Sequence, residues 1–191
     1  MNTTETDSIL RLKIDNTDIF LEEIGENQGK ITISNTYGYN YSNYWGSMGG
    51  TLKDFICQMN ADYFSDKLLG STSMWTFDQK NTFKEVRRHI SEEIGLPWYK
   101  HQEFQKEMRK VLNDFQQECE TDTSFVDNFF SSFIDRLDFW LIKDRWERQN
   151  IEASFRGISE QWYFIQQKPS DKFLWLKDLH SKLKKALGNG K

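Results

Sequence analysis

The stretch Lys30-Ile31-Thr32-Ile33-Ser34-Asn35-Thr36-Tyr37-Gly38-Tyr39-Asn40-Tyr41-Ser42-Asn43-Tyr44-Trp45-Gly46-Ser47-Met48-Gly49-Gly50-Thr51-Leu52-Lys53-Asp54-Phe55-Ile56 decides the fold, because the period of its apolar residues changes within it. Ile31 and Ile33 alternate with Lys30, Thr32 and Ser34, and Tyr37, Tyr39 and Tyr41 continue that period of two. Alternation of this kind is the mark of a half-buried strand. Past Gly49-Gly50 the spacing becomes helical, with Leu52, Phe55, Ile56 and Met59 on one face. Thr51 is a good N-cap, and Asp54 three residues on makes a variant of the capping box. A strand hands over to a helix across a glycine turn.

Towards the N-terminus the strand pattern continues. Ile9, Arg11 and Lys13 oppose Leu10, Leu12 and Ile14; the turn cluster Asp15-Asn16-Thr17-Asp18 follows, then Ile19-Phe20-Leu21 and a second turn at Asn27-Gln28-Gly29. This predicts an antiparallel meander of three or four strands over 9–45, preceded by a polar, disordered tail over 1–8.

Towards the C-terminus the pattern stays helical. Asn60 caps a segment with Tyr63, Phe64, Lys67 and Leu68, closed by Gly70. Phe83, Val86, Ile90 and Ile94 predict a helix over 79–94, broken at Gly95-Leu96-Pro97. Phe104, Met108, Val111, Leu112 and Phe115 predict another over 98–118. Phe125, Phe129, Phe133 and Leu137, widened by Phe130, Ile134 and Leu141, predict the longest helix over 123–149, buried on more than one side around Phe139-Trp140-Leu141-Ile142. Residues 158–167 fit a short helix or an extended piece. Ser170 caps a last helix carrying Phe173, Leu174, Leu176, Leu179, Leu183 and Leu187. The expected fold class is α+β: a small N-terminal antiparallel β-meander packed against a larger C-terminal helical part, mainly helical over 51–187, forming a single domain over 9–191.

Composition narrows the function classes. Of 191 residues, 37% are hydrophobic, 28% charged and 15% aromatic, which excludes a disordered chain. No apolar run approaches a membrane span, and no basic-then-apolar leader opens the sequence; the expectation is a chain that meets no membrane and is not secreted. The net charge is −4, concentrated in residues 1–75, where 5 basic residues face 10 acidic ones. This is no general bait for nucleic acid, and weak direct binding is the most it supports. Cys57 and Cys119 stand apart without metal-ligand spacing and read as free thiols of a reducing compartment.

Several constellations invite a functional reading. Glycines ahead of a helix can form a nest of N–H donors for an anion. The phosphate-loop pattern needs a Lys and a hydroxyl residue directly after its last glycine, whereas Gly50 is followed by Thr51, Leu52 and only then Lys53. A plain strand-to-helix turn with positive φ explains the glycines as well. The five aromatics of that stretch suit a binding surface, since Tyr and Trp anchor interfaces at small entropic cost. The candidate interface is Tyr39, Tyr41, Tyr44 and Trp45, with Ser47 and Lys53 beside them. On a strand, about half of such residues face the core. Lys84, Arg87 and Arg88, then Lys106, Arg109 and Lys110, and finally Lys182, Lys184 and Lys185 form basic helical clusters, each interleaved with acids in the manner of a solvated face. His89, His101 and His180 share no triad or metal spacing. Asp135, Asp138 and Asp144 could bind a divalent ion but fit surface acids better. No catalytic residue, cofactor or metal site is assigned.

The layout also resembles a family of proteins encoded by phages and prophages. The resemblance rests on Tyr37-Gly38, Tyr41-Ser42, Tyr44-Trp45-Gly46-Ser47-Met48-Gly49 and Leu52-Lys53-Asp54-Phe55; on Asp62-Tyr63-Phe64 and Lys67-Leu68-Leu69-Gly70; and on Lys168-Pro169-Ser170 with Phe173-Leu174. It spans about residues 9–187. It implies a mobile-element protein acting in the cytoplasm of a bacterial host, and it supplies no catalytic mechanism. Small phage accessory proteins of this kind often disable a host factor by binding it. The expectation is therefore a stoichiometric, non-catalytic inhibitor of a bacterial defence effector, in the manner of an anti-CRISPR protein, its partner an RNA-guided nuclease with bound guide RNA. The alternatives are a nucleic-acid-binding accessory protein of phage replication, recombination or transcription, and an enzyme with an unrecognised site.

Overall fold

The computed structural model describes residues 8–96, 99–158 and 161–188. Of the tail expected over 1–8, residues 1–7 lie outside the described residues and Ser8 opens the first strand; the break expected at Pro97 also lies outside them. Four strands, β1 (Ser8–Ile14), β2 (Thr17–Gly25), β3 (Gln28–Asn35) and β4 (Asn40–Trp45), form an antiparallel sheet in the order β1-β2-β3-β4. The first two hairpins are tight, with Ile14 opposite Thr17 and Gly25 opposite Gln28. Asp15 and Asn27 take the left-handed backbone conformation that these turns need, one that short polar side chains tolerate. Alternation then sorts the faces. Ile19 and Leu21 lie opposite Ile33 and Ile31 and are buried, while Phe20 and Thr32 occupy the other face in register with Arg11 and Ser42.

The chain next forms α1 (Leu52–Gln58) and α2 (Ala61–Leu69), and later returns for α8 (Asp171–Gly188). Thr51 and Asn60 accept hydrogen bonds from the backbone N–H groups of Asp54 and Tyr63, which fixes where α1 and α2 begin. These helices bury Leu52, Ile56, Phe64, Leu68, Leu176, Leu179 and Leu183 in one core with the isoleucines of the sheet. Leu174, expected on the same stripe of α8, faces solvent. Gly29 is where β3 meets α1: a Cβ there would stand 3.0 Å from the Cβ of Leu52.

Two compact units divide the chain: residues 1–76 with 169–191, and residues 77–168. Two short strands, β5 (Trp75–Phe77) and β6 (Gln167–Pro169), pair with each other. Within the first unit, Ser170 pins the start of α8, its Oγ donating to the carbonyl of Ser73 at 2.8 Å and accepting from the N–H of Phe173.

The second unit holds α3 (Gln79–Glu92), α4 (Gln102–Glu118), the one-turn pieces α5 (Asp122–Ser124) and α6 (Phe130–Phe133), and α7 (Arg145–Arg156). Its core is aromatic. Phe125 stacks on Phe129 (5.0 Å between ring centroids) and Phe129 on Phe133 (4.8 Å), while Phe83 and Phe115 meet that column edge-on. The single helix expected over 123–149 is not continuous. A π-helical turn at Phe125–Phe129, α6 and a 3₁₀ turn at Ile134–Arg136 carry the chain only to Leu137, which is extended. Asp138 then accepts from the N–H of Trp140, and Asp144 caps α7 through the N–H of Glu147 at 2.7 Å. Trp140 is exposed, with the Arg148 guanidinium 3.9 Å above its ring, so this segment is not apolar all round. Aspartates that bond backbone N–H groups outside a helix outweigh the apolar spacing that would have continued it.

Candidate functional site

The loop 36–39 is built around Asn35. Its side-chain oxygen accepts from the N–H groups of Tyr37 (3.0 Å) and Tyr39 (2.9 Å), and its own N–H donates to the carbonyl of Tyr39. Gly38 supplies the positive φ of 84° that closes the turn. The clamp presents Tyr39 beside Tyr41 of β4, and α8 brings Trp175 against both. The three ring centroids lie 5.8–6.2 Å apart, and the Lys172 ammonium sits 5.6 Å above the ring of Tyr39. Tyr39 is exposed, Tyr41 and Trp175 are half-buried, and Tyr37 projects fully next to them in sequence. Burial, and then the neighbouring Tyr39, raise the Tyr41 phenol above its ordinary value. It stays a neutral hydroxyl, able to donate and accept.

The other residues of the expected interface go elsewhere. Tyr44 faces the opposite side of the sheet, where its hydroxyl donates to Oε1 of Gln28 at 3.0 Å. Trp45 is buried, edge-on to Phe55, and its indole N–H is 3.3 Å from the Asn43 side-chain oxygen once that amide is oriented to accept from it. Ser47 is exposed in the turn ahead of α1, and Lys53 is half-buried on α1. The structure therefore brings Tyr39 and Tyr41 together and joins to them Trp175 and Lys172, two residues of α8 that sequence reasoning missed. A tryptophan at the fifth residue of α8, next to the buried Leu176, was the signal available.

The glycine-rich turn is not an open anion nest. The N–H of Leu52 at the start of α1 donates to Oε1 of Glu23 at 2.8 Å, so a carboxylate of the chain itself occupies the helix N-terminus. Gly49 has the positive φ expected of a strand-to-helix turn. The histidines are dispersed: His89 pairs with Glu93, His101 Nε2 lies 3.1 Å from Oε1 of Glu147, and His180 is buried in the first unit. Among the described residues no three His, Cys, Asp or Glu side chains are grouped to hold a metal, and Asp138 and Asp144 serve as caps. Cys57 and Cys119 are free thiols, and burial pushes that of Cys119 up to about 11, away from thiolate reactivity. Among the described residues no helix is long and apolar enough to cross a membrane.

Fold and surface together define an α+β protein with an aromatic cluster displayed where a sheet edge meets its last helix. A family model described as a phage family, phiTE_072, matches residues 1–189, and the chain belongs to that family. No curated protein and no solved structure matches it.

Proposed function

We propose that this phage-family protein is a stoichiometric, non-catalytic inhibitor that binds a bacterial defence effector, in the manner of an anti-CRISPR protein, in the cytoplasm of the host. The observation that carries the reading is the Tyr39–Tyr41–Trp175 cluster. Three large rings share one patch of surface, stiffened by the Asn35 clamp and by their own mutual packing. Rings held in place before binding lose little entropy on docking, and Tyr and Trp are the residues that dominate binding hot spots. Lys172 adds a cation at the rim and suits a partner with an acidic or phosphate-bearing border. Membership of a phage family supports a role inside an infected cell.

The test is capture of defence effectors, RNA-guided nucleases first, from infected cells by tagged wild-type protein and by Trp175→Ala and Tyr39→Ala. Bound protein and bound nucleic acid are identified separately, with a melting curve for each variant. The reading expects an effector on the wild type and its loss from both variants, at unchanged melting temperature for Tyr39→Ala and with a lowered but still cooperative transition for Trp175→Ala, whose ring packs against the core of the first unit. Equal capture by all three proteins contradicts it.

A further inference from the structure

The face formed by α3 and α4 carries cations that have no carboxylate partner among the described residues. Several basic residues elsewhere are paired, Arg88 with Glu85 and Glu92, Arg136 with Glu118, Arg156 with Glu152, Lys182 with Asp15 and Asp178. Among the described residues, Arg87, Lys106, Arg109 and Lys110 make no ion pair. Arg87 is half-buried, and its Nη2 donates to Oδ1 of Asn113 (3.1 Å) and Oε1 of Gln116 (2.8 Å). Those neutral amides position the guanidinium without cancelling its charge. Burial lowers its proton affinity from the ordinary value, yet an arginine stays charged at any physiological pH.

Arg87 and Arg109 stand at a cavity of about 160 Å³ whose walls include Ile90, Leu96, Met108 and Leu112. A void of roughly this size accepts a benzene-sized apolar group, which is the size of a Leu, Ile or Phe side chain. Through Gln105 and Arg109 the cavity adjoins a shallower groove along α4 lined by Lys106, Lys110 and Asp114. The combination is an apolar socket, two forked donors at its mouth and two ammonium groups along the approach.

We propose that this α3–α4 groove is a docking site for an acidic peptide segment of a partner protein, with one apolar side chain anchored in the socket and flanking carboxylates on Arg87, Arg109, Lys106 and Lys110. Charge complementarity selects the carboxylates, because guanidinium groups bind them in a bidentate fork. The aliphatic and thioether lining favours an apolar side chain as the anchor, which a peptide carries beside its carboxylates. Methionine in the wall lets the socket adapt to related anchors. This site rests on different residues from the Tyr39–Tyr41–Trp175 cluster and stands or falls separately from it.

Fluorescence anisotropy on the full chain tests it, using labelled peptides with a leucine between two pairs of glutamates. The controls replace the leucine with alanine, or the glutamates with glutamine, and a single-stranded oligonucleotide and inorganic phosphate are run as competitors. The expected result is saturable binding of the acidic leucine peptide, weakened at least tenfold by either control change. Arg109→Gln, at an exposed position, weakens it by a similar factor without altering the melting temperature. Failure of the acidic leucine peptide to bind at about 1 mM, equal binding of the glutamine control, tighter binding of the oligonucleotide, or indifference to Arg109→Gln each overturns the proposal.

Discussion

His180 shows how one side chain links packing to pH. It is 2% exposed in the core of the first unit, its ring stacked on Phe64 at 4.6 Å and its Nε2 3.1 Å from the carbonyl of Ile56. A carbonyl only accepts, so Nε2 is the donor and the neutral ring satisfies the site. Burial first, with help from the charge on Lys184, pushes the imidazole below its ordinary 6.5, and the Ile56 carbonyl opposes this only in part. The unfolded chain therefore takes up this proton before the folded one does. The stability that His180 contributes is complete above about pH 6.5 and is lost as the pH falls below it. Urea titrations at about pH 7.5 and 5.5 should show a lower midpoint at the acid end, and His180→Gln should reduce the difference. An identical pH dependence in the variant would mean that the ring is not held neutral.

At the scale of elements, the capping side chains decide where helices start. Asp144 is the instructive case. Removing it by Asp144→Ala should cost about 1 kcal/mol, read as a lower denaturation midpoint at constant slope. No loss would mean that α7 does not begin there. The meander, α1, α2, α3 and α8 were legible in the sequence because turn residues, caps and apolar period agree in each. The region 123–149 was not, because its signals conflict. Phenylalanines every four residues favour one long helix, while Asp138 and Asp144 offer backbone N–H groups partners outside it. The pattern Asp144-Arg145-Trp146-Glu147 is itself a cap followed by an acid at the third helical position, so that helix start was written in the sequence and masked by the apolar run. The strands β5 and β6 are three residues each, too short to show a period. Which of the aromatics lie together was half legible for a related reason. Alternation along β4 shows that its aromatics split between faces, but which face is open depends on α8, more than a hundred residues away.

At the scale of the whole molecule, the two units hold two cores that share no buried residue, one built on isoleucine and leucine and the other on phenylalanine. Phe133→Ala should cost the second core about 3–5 kcal/mol, because a ring stacked on Phe129 and near Phe115 and Phe155 cannot be replaced by collapse of its neighbours. Native-state hydrogen exchange should then quicken across α3, α4 and α7 while Ile31, Ile33 and Leu179 keep their protection. Loss of protection in both sets would show that the cores unfold as one.

If the chain acts by contact rather than by turnover, as proposed, its effect on a target is stoichiometric. The measurement is a titration of the purified protein against an RNA-guided defence nuclease of the host, with residual nuclease activity read at fixed nuclease concentration well above the dissociation constant. A linear fall to a break near one equivalent is expected, shifted or abolished in Trp175→Ala. Complete loss of nuclease activity at a small fraction of an equivalent would contradict the proposal and make the protein an enzyme.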